Sequence, residues 1–338
     1  MDVVKLSGPK KVVVDNEPTP KAKDEFVVVK IHAAPMCTEY KRYARGNTGG
    51  NLGHEASGEV VEVAQSCRVK VGDRVVVMPQ YPCGKCDLCL KGDYIFCENS
   101  LDFECETGQK NGKSTFSQYC IKQDWLLVPI PDEMSYDHAG MALCGLGPTF
   151  TAMEVMNVNS FDTVLITGLG PVGLGGAINA MYRGARVIGV EGKPYRVKLA
   201  KELGVEVVID PDDENALKQI MDITKGKGVD KAVDCAGTPE SQRLALNAVR
   251  RRGQFTFVAE GKEFTIHTSK DMLRKGLTVH GAWHYNLSLS PRLMEVITHS
   301  SDLIDKLITH TFPLRDIQKA WELQIKGECG KIVLHPWE

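Results

Sequence analysis

The chain has 338 residues, 43% of them apolar and 25% charged, with a formal charge of −2 at neutral pH. That length and balance suit a globular protein with a full core and two domains, and interspersed charges leave no electrostatic footprint for nucleic acid; the densest basic run, Arg250-Arg251-Arg252, reads as a solvated helix end. The opening "MDVVKLSGPKKVVVDNEP" is charged from residue 2, and no apolar run approaches the roughly 18 residues of a spanning helix, so a cytoplasmic protein without membrane contact is expected.

Up to about residue 150, short β-rich runs such as "EFVVVKIHAA", "SGEVVEVAQ" and "GDRVVVMPQ" alternate with Gly, Pro and Asp, which predicts a largely antiparallel, barrel-like region with long loops. Within it, "YPCGKCDLCLKGDYIFCENS" sets Cys83, Cys86, Cys89 and Cys97 in C-x2-C-x2-C-x7-C spacing. In a chain whose eleven cysteines are expected to stay reduced, four clustered thiolates can fold around one ion, and a closed thiolate tetrahedron is the usual structural zinc site. An iron–sulfur cluster is the rival reading, although ferredoxin runs have a shorter last gap and a proline where this chain has Glu98; a loop without metal is the third. A structural ion would brace a lobe that has too few apolar residues to hold itself together.

Beyond residue 150 the runs "TVLITG", "ARVIGVEG", "VVID", "KAVDCAG", "QFTFVAEG" and "LTVHGAW" recur with helix-like segments between most of them, the pattern of a doubly wound parallel sheet. The first run leads into Gly168, Gly170 and Gly173, a G-x-G-x-x-G directly after an apolar strand, with Pro171 and Val172 at the start of a small-residue helix. The first glycine allows the tight turn, the second admits a pyrophosphate to the backbone, and the third lets helix and strand pack closely. The bland reading is a glycine-rich turn without ligand. Glu191, ending the next strand, can accept hydrogen bonds from both ribose hydroxyls and would repel a 2′-phosphate, favouring NAD over NADP; Lys193 and Arg196 follow closely and weaken that preference. The last fifty residues return to helices, "PRLMEVITHSS" and "FPLRDIQKAWELQIKG", and a closing strand "GKIVLHP".

Outside the cysteine lobe, Cys37 in "AAPMCTEYKRYARG", His54 and Glu55 in "NLGHEASGEVVE", and Cys144 in "MALCGLGPTFTA" lie far apart in sequence. Singly, each cysteine reads as a core residue. Together, Cys/His/Cys makes an open three-ligand zinc site whose fourth position takes water or substrate.

With these motifs in place, the chain resembles the zinc-dependent medium-chain alcohol/polyol dehydrogenases over essentially its whole length: the cysteine lobe, "GHEASGEV", "GDRVVV", the late Cys144, the glycine fingerprint, "AVDCAG" and "GKIVLHP". The resemblance implies an α/β protein in which residues 1–146 and 285–338 form a GroES-like, β-rich catalytic domain bearing the zinc lobe (about 81–100). Residues 147–284 would form a Rossmann domain, with hydride transfer in the cleft. It implies two zinc ions per chain and NAD, with NADP less expected. Cys37, His54 and Cys144 would hold the catalytic zinc, with Glu55 beside it as a supporting carboxylate or occasional ligand, and Lys331 would approach the cofactor pyrophosphate. A homodimer or homotetramer is implied, with "LTVHGAWHY" as the edge strand at a subunit contact.

One stretch departs from the family. Two residues after the first zinc-binding cysteine most members carry Ser or Thr, which passes the alcohol proton onward, often towards a His three positions later; here those positions are Glu39 and Arg42, and Thr38 is adjacent to Cys37 and faces elsewhere. Glu39 is the candidate base, against a structural pair with Arg42, a zinc ligand or a substrate contact. Trp283, His284 and Tyr285 follow the last sheet strand, either lining the cleft or, for Trp283 and His284, serving the core and the surface. The expected reaction moves a hydride between a secondary alcohol (polyol, sugar, cyclitol or amino-cyclitol) and nicotinamide. A reductase of simple alcohols or aldehydes, and a nucleotide- and zinc-binding member without turnover, are the alternatives.

Overall fold

The computed structural model describes residues 1–65 and 68–338. The chain divides into two units, the first comprising Met1–Cys144, Asn286–Ser301 and Ile308–Glu338, the second Gly145–Tyr285 and Asp302–Leu307. The divisions expected after residues 146 and 284 fall after 144 and 285. Residues 302–307 belong to the second unit instead of the first, because Ile304 and Leu307 are fully buried and Lys306 Nζ donates to Glu202 O at 3.2 Å.

The first unit opens with an antiparallel hairpin, β1 (Asp2–Gly8) and β2 (Lys11–Asn16). Its sheet begins with β3 (Phe26–Pro35), β4 (Ala56–Glu62), β5 (Arg74–Val77), β6 (Tyr119–Gln123) and β7 (Leu127–Pro129). The run "FVVVKIHAAP" forms the central strand, because a near-continuous apolar segment is stable only where neighbours cover both faces.

The second unit is an all-parallel sheet of β8 (Thr163–Thr167), β9 (Arg186–Val190), β10 (Val207–Ile209), β11 (Val229–Asp234), β12 (Val249–Phe257) and β13 (Thr278–Gly281). Its strand order is β10-β9-β8-β11-β12-β13, the dinucleotide-binding order in which the chain reverses at the first strand. Ligands of such sheets bind outside the carboxyl ends at that reversal, where β8 runs into Gly168. Arg250-Arg251-Arg252 is not a helix end: it opens β12, where Arg252 takes φ +61° and Arg250 Nε meets Asp230 Oδ1 at 2.6 Å.

The chain then returns to the first sheet through β14 (Ile308–Pro313) and β15 (Lys331–His335), completing the order β14-β15-β3-β4-β5-β7, with β6 also paired to β3. The helix Ile317–Lys326 sends Trp321 into the core, stacked on Tyr43 with ring centres 5.0 Å apart. This arrangement brings the end of β3, the loop before β4, the turn at 141–145 and the start of β15 together. Among the described residues, no helix is long and apolar enough to cross a membrane.

Candidate active site

Three segments of the first unit converge on one cluster. Cys37 follows β3, His54 and Glu55 precede β4, and Cys144 lies in an irregular helical turn, Met141–Gly145, where Leu143 leaves helical geometry at φ −86°, ψ −133°. One ligand atom from each of Cys37, His54, Glu55 and Cys144 lies within 4.8 Å of all the others. His54 Nδ1 donates to Glu39 Oε1 at 2.6 Å, which fixes the tautomer and aims Nε2 into the cluster, 3.2 Å from Cys144 Sγ.

Electrostatics divide these groups. The hydrogen bond from Cys144 holds the Cys37 thiol well below its ordinary range, with His54 and Lys331 helping against burial. That same bond, together with burial, drives Cys144 up. Burial alone would lower the His54 pKa, but its bonds to Cys37 and Glu39 raise it well above the ordinary value. Burial would likewise raise Glu39, and His54 reverses the sign and keeps the carboxylate ionised. Glu55 is pushed up to about 7 by burial, with Lys331 opposing.

Lys331, expected at the cofactor pyrophosphate, lies in the first unit beside Glu55. It is 1% exposed, and its ammonium donates to Glu55 Oε1 at 2.8 Å and Oε2 at 3.0 Å, because β15 lies beside β3 and carries this first residue beneath the cluster. Glu55 Oε2 also accepts from Cys144 N at 3.2 Å. With Glu55 engaged twice, Cys37, His54 and Cys144 are the donors left to an ion, the thiolate and imidazole set that suits zinc with one position open. Arg42, weighed as a partner for Glu39, directs its guanidinium to Asn51 O at 3.4 Å.

The cysteine lobe likewise gathers four sulfurs within reach of one ion. Sulfur–sulfur separations are 3.4 Å for Cys86–Cys89, 3.6 Å for Cys97–Cys83 and 3.9 Å for Cys86–Cys97. Bonds of about 2.3 Å at tetrahedral angles put sulfurs roughly 3.8 Å apart. Backbone N–H groups of Cys83 and Asn99 donate to Cys97 Sγ, and that of Cys86 to Cys83 Sγ. Donation from the Lys85 backbone, aided by Cys86, brings Cys83 down to about 7 against burial. Asn286 ties the lobe to the returning chain through Lys91 O at 2.7 Å and Asp93 Oδ1 at 2.8 Å.

In the second unit, Gly168 takes φ +81°, and a Cβ on Gly173 would stand 1.9 Å from Gly168 O, so the loop closes only without side chains there. Gly170 caps the helix Pro171–Tyr182, whose first turn includes Val172. Glu191 Oε2 accepts from Leu169 N at 3.0 Å and Oε1 from Lys193 N at 2.9 Å, holding the carboxylate against the loop. The Arg196 guanidinium lies 3.6 Å from where a Gly170 Cβ would be, and its Nε is buried without a partner. A loop of bare backbone N–H groups beside an unmatched cation fits a nucleotide phosphate. After β13, Tyr285 and His284 are buried, His284 O accepts from Thr151 Oγ1 at 2.6 Å, and Trp283 is 43% exposed. Sequence reasoning missed the Glu39–His54 and Lys331–Glu55 contacts; no local spacing signals either.

A glycine loop on a doubly wound sheet, together with two thiolate-rich clusters on a β-rich unit, defines a metal-dependent, nucleotide-linked dehydrogenase. The family models agree: one described as zinc-binding dehydrogenase matches residues 171–299, and one described as alcohol dehydrogenase GroES-like domain matches residues 23–132. The chain is 30% identical to the sorbitol dehydrogenase of Bacillus subtilis, covering 99% of this chain and 97% of that one. It is 30% identical to the D-arabitol-phosphate dehydrogenase of Enterococcus avium, covering 93% and 91%. The crystal structure of 2R,3R-butanediol dehydrogenase from Bacillus subtilis superposes with a TM-score of 0.85 at 27% identity, covering 99% of both chains. The chain belongs to the zinc-dependent medium-chain alcohol/polyol dehydrogenases and is an oxidoreductase of that type.

Replacing the carboxylate that orients a metal-binding histidine loosens the ion. Glu39→Ala is expected to lower zinc affinity at the Cys37–His54–Cys144 cluster by roughly ten- to a hundredfold, as read by chelator competition.

Proposed function

We propose that the chain oxidises a secondary hydroxyl of a polyhydroxylated substrate (a polyol, sugar, cyclitol or amino-cyclitol) with NAD as hydride acceptor. We further propose that it holds two zinc ions, one at Cys37, His54 and Cys144 and one at Cys83, Cys86, Cys89 and Cys97. The observation that carries the substrate class is a cavity of about 120 Å³ that shares His54 with the metal cluster and sets the polar residues Asn51, Gln80 and Thr115 among the apolar Val77, Met78 and Pro79. Such a lining supplies partners for several hydroxyls, and leaving it unmatched penalises a simple apolar alcohol.

A zinc ion at the open cluster would supply Lewis acidity, lowering the pKa of a substrate hydroxyl. The nicotinamide supplies the acceptor for hydride. Around them, Glu39 serves twice: Oε1 holds His54 in the tautomer that presents Nε2, and Oε2, buried without a partner, is the atom that would hold the hydroxyl proton. Lys331 pairs with Glu55 beneath the cluster and opposes the upward shift that burial gives its carboxyl. The Glu191 carboxylate, fixed by two backbone N–H groups, has lone pairs left for ribose hydroxyls, and its charge disfavours a 2′-phosphate. Arg196 would meet a cofactor phosphate across Gly170. As one of the two edge strands of its sheet, with β10 the other, β13 supports a homodimer or homotetramer joined there.

Absorbance at 340 nm with NAD and a panel of polyols, beside elemental analysis, tests this reading. Turnover of secondary polyols with two zinc ions per chain is expected; turnover of primary alcohols only, or one ion, refutes it. Glu39→Gln separates the two roles of that carboxylate. Its amide oxygen can still accept from His54, but its NH2 cannot take a proton, so turnover should fall by roughly a hundred- to ten-thousandfold with zinc content unchanged. Undiminished turnover would remove Glu39 as the base. Glu191→Ala should raise KM for NAD and narrow its advantage over NADP; a wild-type preference for NADP would contradict the assignment and point to Lys193 and Arg196.

A further inference from the structure

The cavity beside His54 is lined by Lys113, Lys122 and Tyr81 as well as by the polar residues above, and neither Asp nor Glu lines it among the described residues. Lys122 lies on β6 and is only 3% exposed. Its Nζ donates to Gln80 O and stands 3.9 Å from the centre of the Tyr81 ring; Lys113 Nζ, on an exposed residue, is 5.8 Å from the same ring. Burial pushes the Lys122 pKa down to about 7, with Cys120 opposing and Lys113 adding repulsion.

A buried ammonium is ordinarily matched by a carboxylate, because desolvating it costs more than one carbonyl and one ring face return. Here the groups acting electrostatically on Lys122 are a thiol and a second lysine, so the imbalance is positive. The Thr115 hydroxyl, on a residue 5% exposed, adds an oxygen that is buried without a partner. An anion entering the cavity would meet both ammonium groups and repay the desolvation of Lys122.

We propose that Lys122, with Lys113 beside it, forms an anion subsite that holds a phosphate or carboxylate borne by the substrate, making the preferred substrate an acidic polyol. This rests on the polyol reading of the same centre. The reacting hydroxyl and the anionic group are then on different carbons, one directed to the metal cluster and the other to the lysines.

The test compares one polyol in three forms, neutral, with a terminal phosphate and with a terminal carboxylate, in the wild type, Lys122→Met and Lys113→Met. At least one anionic form should exceed the neutral one in kcat/KM by about tenfold or more, chiefly through KM, as expected of a charge-assisted contact. That ratio should collapse in Lys122→Met and fall less in Lys113→Met, and the phosphate and carboxylate arms identify the anion. A wild-type ratio near one, or a ratio that survives both substitutions, overturns the proposal. Calorimetric titration with inorganic phosphate reads the subsite without turnover. If no polyol is oxidised but phosphate binding weakens about tenfold in Lys122→Met, the polyol reading fails and the anion subsite stands. Equal phosphate affinity in all three proteins removes the subsite. Should Lys122→Met not fold, the exposed Lys113→Met decides by the same ratios.

Discussion

The metal centre depends on the buried pair of Lys331 and Glu55. Neither side chain is more than 1% exposed, and the two residues are 276 positions apart in the chain. Glu55 holds the start of β15 through Lys331 and the turn at 141–145 through Cys144 N, so one carboxylate ties its own loop to two others around the cluster. Alone, either charge would be untenable in that setting; removing one partner of such a pair typically costs about 3–5 kcal/mol. The pair also moderates the charge of the site: burial raises the Glu55 carboxyl to about 7, and the Lys331 ammonium opposes that rise beside the two sulfurs.

The nucleotide loop obeys a different constraint. Its geometry comes from the absence of side chains: Gly173 approaches Gly168 O more closely than any Cβ allows, and Glu191 is held by backbone N–H groups of Leu169 and Lys193. The loop is therefore set by local chain geometry, whereas the metal cluster is set by contacts between distant segments. Substitutions should act on the two accordingly, locally in the second unit and through buried charge in the first.

That difference explains what could be read from the sequence. The doubly wound parallel sheet, the β-rich unit and the glycine loop were legible because apolar periodicity and glycine spacing act over a few residues. The cysteine lobe was legible for the same reason: its four sulfurs lie within fifteen positions. The Lys331–Glu55 pair was not legible, because nothing local marks a lysine that will lie against a carboxylate 276 positions away. Arg250-Arg251-Arg252 looked like a helix end because three charges in a row fit no strand pattern, but the positive φ of Arg252 lets β12 start there. Lys122 was invisible: in "YCIKQ" a lysine reads as solvent-facing, yet four of these five residues are buried, since β6 is covered on both faces.

Burial of that lysine bears on how the enzyme would choose among polyols, whose hydroxyls differ little from one to the next. A pocket that only matches hydroxyls gains a modest amount from each, and water competes for every one. An ammonium already stripped of water discriminates more sharply, because a matching anion offsets the cost of desolvating it, which a neutral substrate leaves unrelieved. In the free protein that cost is held down by Gln80 O, the Tyr81 ring and a pKa lowered to about 7, so the site persists without ligand while remaining short of a counter-charge. Specificity for an acidic polyol would then be stored in the empty cavity itself, with the metal cluster free to act on whichever secondary hydroxyl the anchored substrate presents.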